Sequence, residues 1–220
     1  MTDVGEWSLR VFLILLVADV FIVAPIAQGD RLPALQPVVH SIVLLSGVAI
    51  AFRSRATTMI VVGILATASF VTHWIYHNHP SVPLGRADTA LSLMFCVFIT
   101  GVVLVQVFRA GPITLYRIEG ALTVYLLVAY SWALAYQLVA FGDANAFTIP
   151  AAPLYPQNLR FRLLYFSTTT LTSVGYGDIL PVSPIARSLA GLESMVGQLF
   201  PAVVLARLVA MELYHERRGQ

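Results

Sequence analysis

Residues 168–178 read TTTLTSVGYGD, with glycines at 175 and 177. A small cation stripped of its water needs oxygen atoms on every side. Backbone carbonyls can provide them when successive carbonyls point toward one axis. A run of L-residues in ordinary α or β geometry does not do this. Alternating in residues that accept positive φ does, and glycine takes up that conformation without a Cβ clash. Gly175 and Gly177 have the two-residue spacing that such alternation needs. The carbonyls of Ser173, Val174, Gly175 and Tyr176 are therefore expected to line one path, with the Ser173 hydroxyl at its inner end. The competing reading is a glycine-rich turn between two helices. A GYG triplet alone would deserve it, but long apolar segments on both sides weigh against it.

The six residues Ser173-Val174-Gly175-Tyr176-Gly177-Asp178 resemble the potassium-channel signature filter, T-V-G-Y-G-D. The resemblance is specific over about residues 115–211; over 1–110 it rests on the number of apolar segments alone. It implies potassium coordination by residues 173–177 and support from Asp178, Tyr165, Phe166, Thr169 and Thr172. Family members usually carry Thr where this chain has Ser173, so the innermost site is expected to be looser. Some members place a carboxylate at the position of Thr169 that pairs with the filter aspartate; here Asp178 lacks it. Gly197 stands where the family often has a hinge glycine, and Pro201 follows four residues on. Pro201 removes the hydrogen bond that the Gly197 carbonyl would accept, so a kink there is expected to set the inner pore width. The alternative is a packing glycine beside a static proline. Gln198, Pro201, Leu205 and Val209 recur at helical spacing, and in the family's register they face a cavity.

These residues need elements to hold them, and the composition says where those elements sit. The chain of 220 residues is 58% hydrophobic and 11% charged, against about 25% charged in a soluble domain. The expectation is an all-α membrane protein with six transmembrane helices. A re-entrant pore helix and filter would lie between the fifth and sixth. The apolar runs fall at 9–27, 35–52, 57–76, 87–108, 120–141 and 185–213, with a pore helix over 162–171. The 9–27 run is too long for a signal peptide, carries Asp19 and is followed by another apolar run, so it reads as retained. Gln28–Pro33 and Arg53–Arg55 read as turns, and His77–Gly85 and Gly142–Asn158 as proline-containing loops. Gly111-Pro112 reads as a break. The domain expectation is a four-helix domain over 1–110, an interfacial linker helix over 111–119, a pore domain over 120–213 and a short cytoplasmic tail over 214–220.

Arginine placement orients the spans. With both termini cytoplasmic, that side holds Arg10, Arg53, Arg55, Arg109, Arg117, Arg207, Arg217 and Arg218. The other side holds Arg31, Arg86, Arg160, Arg162 and Arg187, a modest bias in the usual direction. The filter then lies at the outer mouth, as in the family. A voltage-sensing helix needs several arginines within the span, each coupling by about 2.3 kcal/mol per 100 mV. The fourth apolar run has Arg86 before it and Arg109 after it and none between, so strong voltage gating is not expected.

Several polar residues fall inside apolar runs. Glu193 points away from the cavity stripe and is expected to accept hydrogen bonds from Ser167 or Thr170, as a tuning contact or a structural tie. Asp19 lies near the middle of the first run with no arginine at matching depth. It reads either as a protonated acid hydrogen-bonded to hydroxyls or as a ligand, proton or cation site. His73, His77 and His79 could bind zinc or copper or sense pH, although interfacial histidines beside Trp74 and Tyr76 are the plainer reading. The single cysteine, Cys96, excludes an intrachain disulfide and a cysteine metal cluster.

No catalytic triad, metal-catalytic motif or phosphate loop is visible, and passive conduction needs none. The sequence reading is a potassium-selective, homotetrameric channel of the small prokaryotic kind. It would sit in the cell membrane, contact lipid and potassium, and need no cofactor and no nucleic acid. One filter per chain requires several chains around an axis, and four is the family's number. A non-selective cation channel, given Ser173, and a non-conducting accessory subunit are the alternatives.

Overall fold

The computed structural model describes residues 3–27, 35–51, 55–108, 114–150 and 156–219. The expected turn at 28–33, most of that at 53–55, the break at Gly111-Pro112, and Arg31 and Arg109 lie outside the described residues, as do residues 151–155 of the expected loop. Helix α1 (Asp3–Ala18) passes through one π-helical turn (Asp19–Val23) into the short α2 (Ala24–Ala27). Pro25 has no N–H for the Phe21 carbonyl, and a widened turn just before a proline is how a helix absorbs that loss. Helices α3 (Leu35–Ala51), α4 (Ala56–Asn78), α5 (Val82–Val107) and α6 (Leu115–Gly142) follow. Then come α7 (Pro156–Leu171) and the long α8 (Pro184–Gly219).

Two boundaries differ from the sequence reading. The link between α4 and α5 is only residues 79–81, because Ser81 caps the Leu84 N–H and Pro83 sits in the first turn, where its missing N–H does no harm. Gly85 is thus helical. A Cβ there would lie 2.8 Å from the Phe141 ring, so this glycine admits a close neighbour rather than making a loop. The linker helix expected over 111–119 does not stand apart either. Residues 115–119 are the first turn of α6, since nothing between Leu115 and Gly120 interrupts the helical hydrogen bonds. The tail beyond 213 likewise continues the backbone of α8.

Among the described residues, four helices are long and apolar enough to cross a membrane: Ala56–Asn78, Val82–Val107, Leu115–Gly142 and Pro184–Arg207. A shorter apolar helix covers Pro37–Ala51. The main hydrophobic core joins Leu9, Phe12 and Leu16 of α1 to Leu44 and Ile50 of α3, Phe95 and Ile99 of α5, and Leu127 and Leu134 of α6. Leu164 of α7 and Val204 of α8 complete it. One core therefore crosses the boundary drawn near residues 110–120.

A second core lies around α7. It contains Tyr136, Phe147, Leu163, Phe166 and Ile179. A two-residue antiparallel pair, β1 (Phe147–Thr148) with β2 (Leu180–Pro181), ties the segment after α6 to the segment that follows Asp178. The pairing sets Phe147 between Tyr136 and Phe166, at ring-centroid distances of 5.5 and 5.7 Å. Both contacts are edge-on, the favoured aromatic geometry.

Candidate functional site

Helix α7 ends at Leu171, and its last carbonyls decide what the next residues do. The Val174 N–H bonds the Thr169 carbonyl at 2.9 Å, and the Ser173 N–H bonds the Thr170 carbonyl at 3.0 Å. This pair is the Schellman pattern, which needs a left-handed residue between the two donors. Ser173 takes that place, with φ of +60°. Gly175 follows at +51° and Gly177 at +78°. Positive φ therefore recurs at every second residue from 173 to 177. Serine lacks glycine's freedom there and carries strain of about 1–2 kcal/mol.

The segment from Thr172 to Asp178 is exposed along its whole length in the single chain. Tyr176 is 72% and Val174 54% exposed. Side chains from α6 and α8 hold its foot. The Tyr125 hydroxyl donates to the Leu171 carbonyl at 3.3 Å, and the Ser194 hydroxyl to the Thr170 carbonyl at 3.4 Å. The Gln198 amide donates to the Ser173 hydroxyl at 2.7 Å. Gly197 passes directly beneath: a Cβ built on it would lie 1.8 Å from the Leu171 carbonyl oxygen. α8 runs through Pro201 without a break in helical assignment. Gln198, Pro201, Leu205 and Val209 are all exposed on that helix.

At the other end of the strand, Tyr165 and Tyr176 stack with rings 6.3 Å apart and 1° from parallel. Asp178 accepts from the Ile179 N–H at 3.1 Å, and the Tyr165 phenol lies within its electrostatic reach. Phe166 points instead into the second core and is 6% exposed. Thr169 and Thr172 turn their hydroxyls back onto carbonyls of α7, those of Phe166 and Thr168.

Glu193 is 0% exposed. Its two oxygens lie 2.5 Å from the Ser167 and Tyr136 hydroxyls. Ser167 is one of the two hydroxyls expected there; Thr170 does not bond it, and Tyr136 was not anticipated, because it lies on α6.

The histidines are arranged differently from the sequence reading. His73 meets Asp88 and His40 rather than His77 and His79. Asp19, expected to lack an arginine, lies within electrostatic reach of Arg160. Arg160, counted above among the arginines outside the spans, is 3% exposed. Its Nη2 lies 3.4 Å from Asp88, and its Nε donates to Gln137 at 3.3 Å. These contacts join α1, α3, α4, α5 and α6 to α7. The signal for them was present but divided: Asp88 and Arg160 are charges next to apolar runs, each without a partner nearby in sequence.

Comparison with known proteins adds to the geometry. Residues 121–212 match the family model described as "Ion channel", so the chain carries an ion-channel domain over α6–α8. Two curated proteins are similar over part of the chain. Protein LctB of Bacillus caldotenax is 35% identical over 89 residues, 39% of this chain and 64% of that protein. Protein LctB of Geobacillus stearothermophilus is 50% identical over 46 residues, 21% of this chain and 34% of that protein. The chain thus spans less than two thirds of either relative. No solved structure matches it.

Proposed function

We propose that this chain is the subunit of a passive, potassium-selective channel in which four copies surround one axis. The observation that carries the reading is the alternation of positive φ at Ser173, Gly175 and Gly177 on an exposed strand. Alternation of this kind turns successive carbonyls to one side, where they can replace an ion's water. A single strand offers oxygens from one direction only, so the coordination shell closes only in an assembly. The open face of α8 supports the same reading: Leu199, Leu205 and Val209 are 58, 64 and 50% exposed.

In this reading Asp3–Ala27 and α3 join the four long apolar helices as spans, giving six. Both termini are then cytoplasmic, and α7 re-enters from the outer face with its carbonyl end toward the cavity, where its dipole favours a cation. Gln198, Pro201, Leu205 and Val209 line that cavity, and Gly197 with Pro201 sets its width. α5 carries no arginine between Arg86 and its end, so gating is not strongly voltage-dependent. The membrane is the prokaryotic cell membrane.

The test is current through the purified full chain in planar bilayers, with potassium on one side and sodium on the other. The expected reversal potential follows the potassium gradient and ignores sodium. Reversal near zero with both cations present would make this a non-selective cation channel. Silence of the pure protein, with current restored by a second pore subunit, would make it an accessory chain.

A further inference from the structure

A second polar cluster lies inside the helical bundle, away from the filter strand. His40 of α3, His73 of α4 and Asp88 of α5 are 6, 4 and 2% exposed. One ligand atom from each lies within 4.8 Å of the others. The His73 Nδ1 is 3.2 Å from both Asp88 oxygens, and the His40 and His73 ring centroids are 4.3 Å apart. The His73 Nε2 is buried with no hydrogen-bond partner among the described residues. We propose that His40, His73 and Asp88 bind a divalent transition-metal ion of the zinc class.

Three physical arguments support this site. The His73 Nδ1 and each Asp88 oxygen lie 3.2 Å apart, the separation of two ligands held at about 2.0–2.1 Å on one tetrahedral ion. Two imidazoles and a carboxylate suit zinc and its neighbours, not magnesium or calcium, which prefer oxygen shells. The charge count agrees. Two carboxylates, Asp19 and Asp88, face one guanidinium, Arg160, so the cluster has room for added positive charge.

Access is short. His40 and His73 lie five residues, and Asp88 six, from the ends Leu35, Asn78 and Val82 of their helices. That is a depth of about 8–9 Å at about 1.5 Å per residue. All three ends lie on one side of the bundle, where residues 79–81 form the link. The sequence hid this set because its members sit on three helices; His77 and His79 only looked closer.

The proposal does not depend on conduction, so its test reads metal rather than current. The full chain in detergent is stripped with a chelator and then equilibrated with Zn2+ or Co2+ alone. The expected result is about one ion per chain by elemental analysis, with Co2+ shifting the imidazole resonances of two histidines in the wild type. His40→Gln and His73→Gln should each weaken binding at least about tenfold, while His77→Gln and His79→Gln leave it unchanged. Unaltered elution of each variant on gel filtration checks its fold. If a variant misfolds, the two shifted imidazoles of the wild type decide the matter without it. The proposal is overturned if Zn2+ and Co2+ stay at the level of empty micelles, or if binding survives His40→Gln/His73→Gln. It is equally overturned if those imidazoles respond to pH alone and never to metal.

Discussion

Glu193 has two oxygens and two hydroxyl neighbours, but the Ser167 hydroxyl has one proton and two possible acceptors. Its Oγ is 2.5 Å from Glu193 and 2.7 Å from the Ala129 carbonyl. A carboxyl group that keeps its proton resolves the conflict: Glu193 donates to Ser167, Ser167 donates to Ala129, and Tyr136 donates to the remaining Glu193 oxygen. Glutamine can reproduce all three bonds, since it has both an NH2 and a carbonyl. Glu193→Gln should therefore change the thermal stability of the assembly by less than about 1 kcal/mol. Glu193→Leu strands the Tyr136 hydroxyl, while Ser167 keeps its bond to Ala129, and should cost about 1–3 kcal/mol. Thermal unfolding in detergent separates the two; equal damage from both substitutions would mean that the ionised carboxylate matters instead. The same residue-scale logic explains Ser173. Its positive φ first closes the cap of α7 and then begins the alternation that the two glycines continue.

At the scale of elements, Gly197 and Pro201 separate into two roles. Gly197 lets α8 pass within a Cβ's reach of the last carbonyl of α7, and Pro201 has no such neighbour in the single chain. Gly197→Ala should push the Leu171 backbone at the end of α7 and destabilise the protein by about 1–3 kcal/mol or more, as overpacking does. Pro201→Ala should leave stability nearly intact and alter open probability. Melting curves and bilayer recordings of the two variants test the division: a Gly197→Ala protein with wild-type stability and only altered gating would return Gly197 to a pure hinge. This difference marks what the sequence could show. The strand after α7, the long apolar helices and the side of α8 bearing Gln198 were legible, because spacing within one segment encodes them. The close approach at Gly197, the β1–β2 pair and the Tyr136 bond to Glu193 were not. Each depends on which segments become neighbours, and a glycine looks alike whether it bends a helix or admits one.

For the whole molecule, the question is how the first four apolar segments communicate with the ion-channel domain. The shared hydrophobic core gives packing but little direction, since in lipid apolar contacts alone do not favour one arrangement strongly. Arg160 gives direction. It leaves the start of α7 and reaches Asp88 of α5, Ser92 of the same helix and Gln137 of α6. Asp88 also faces His73, and Ser92 bonds Ser69, which reaches His40. A polar path therefore runs from α3 and α4 to the helix that leads into residues 172–178. Removing one partner of a buried ion pair typically costs about 3–5 kcal/mol, because the other charge stays buried without compensation. Arg160→Met should then destabilise the chain by that amount, whereas Arg160→Met/Asp88→Leu should cost clearly less than the single change. A double-mutant cycle on thermal unfolding measures the difference. If the two substitutions add, Arg160 and Asp88 are not coupled and the path fails at its central link. If they compensate, the recordings to compare are wild type and the double variant, since only there is the tie removed while the fold is kept. A shift in open probability with unchanged reversal potential is the expected result, because the tie ends at the start of α7 and the carbonyls proposed to coordinate the ion lie beyond its other end.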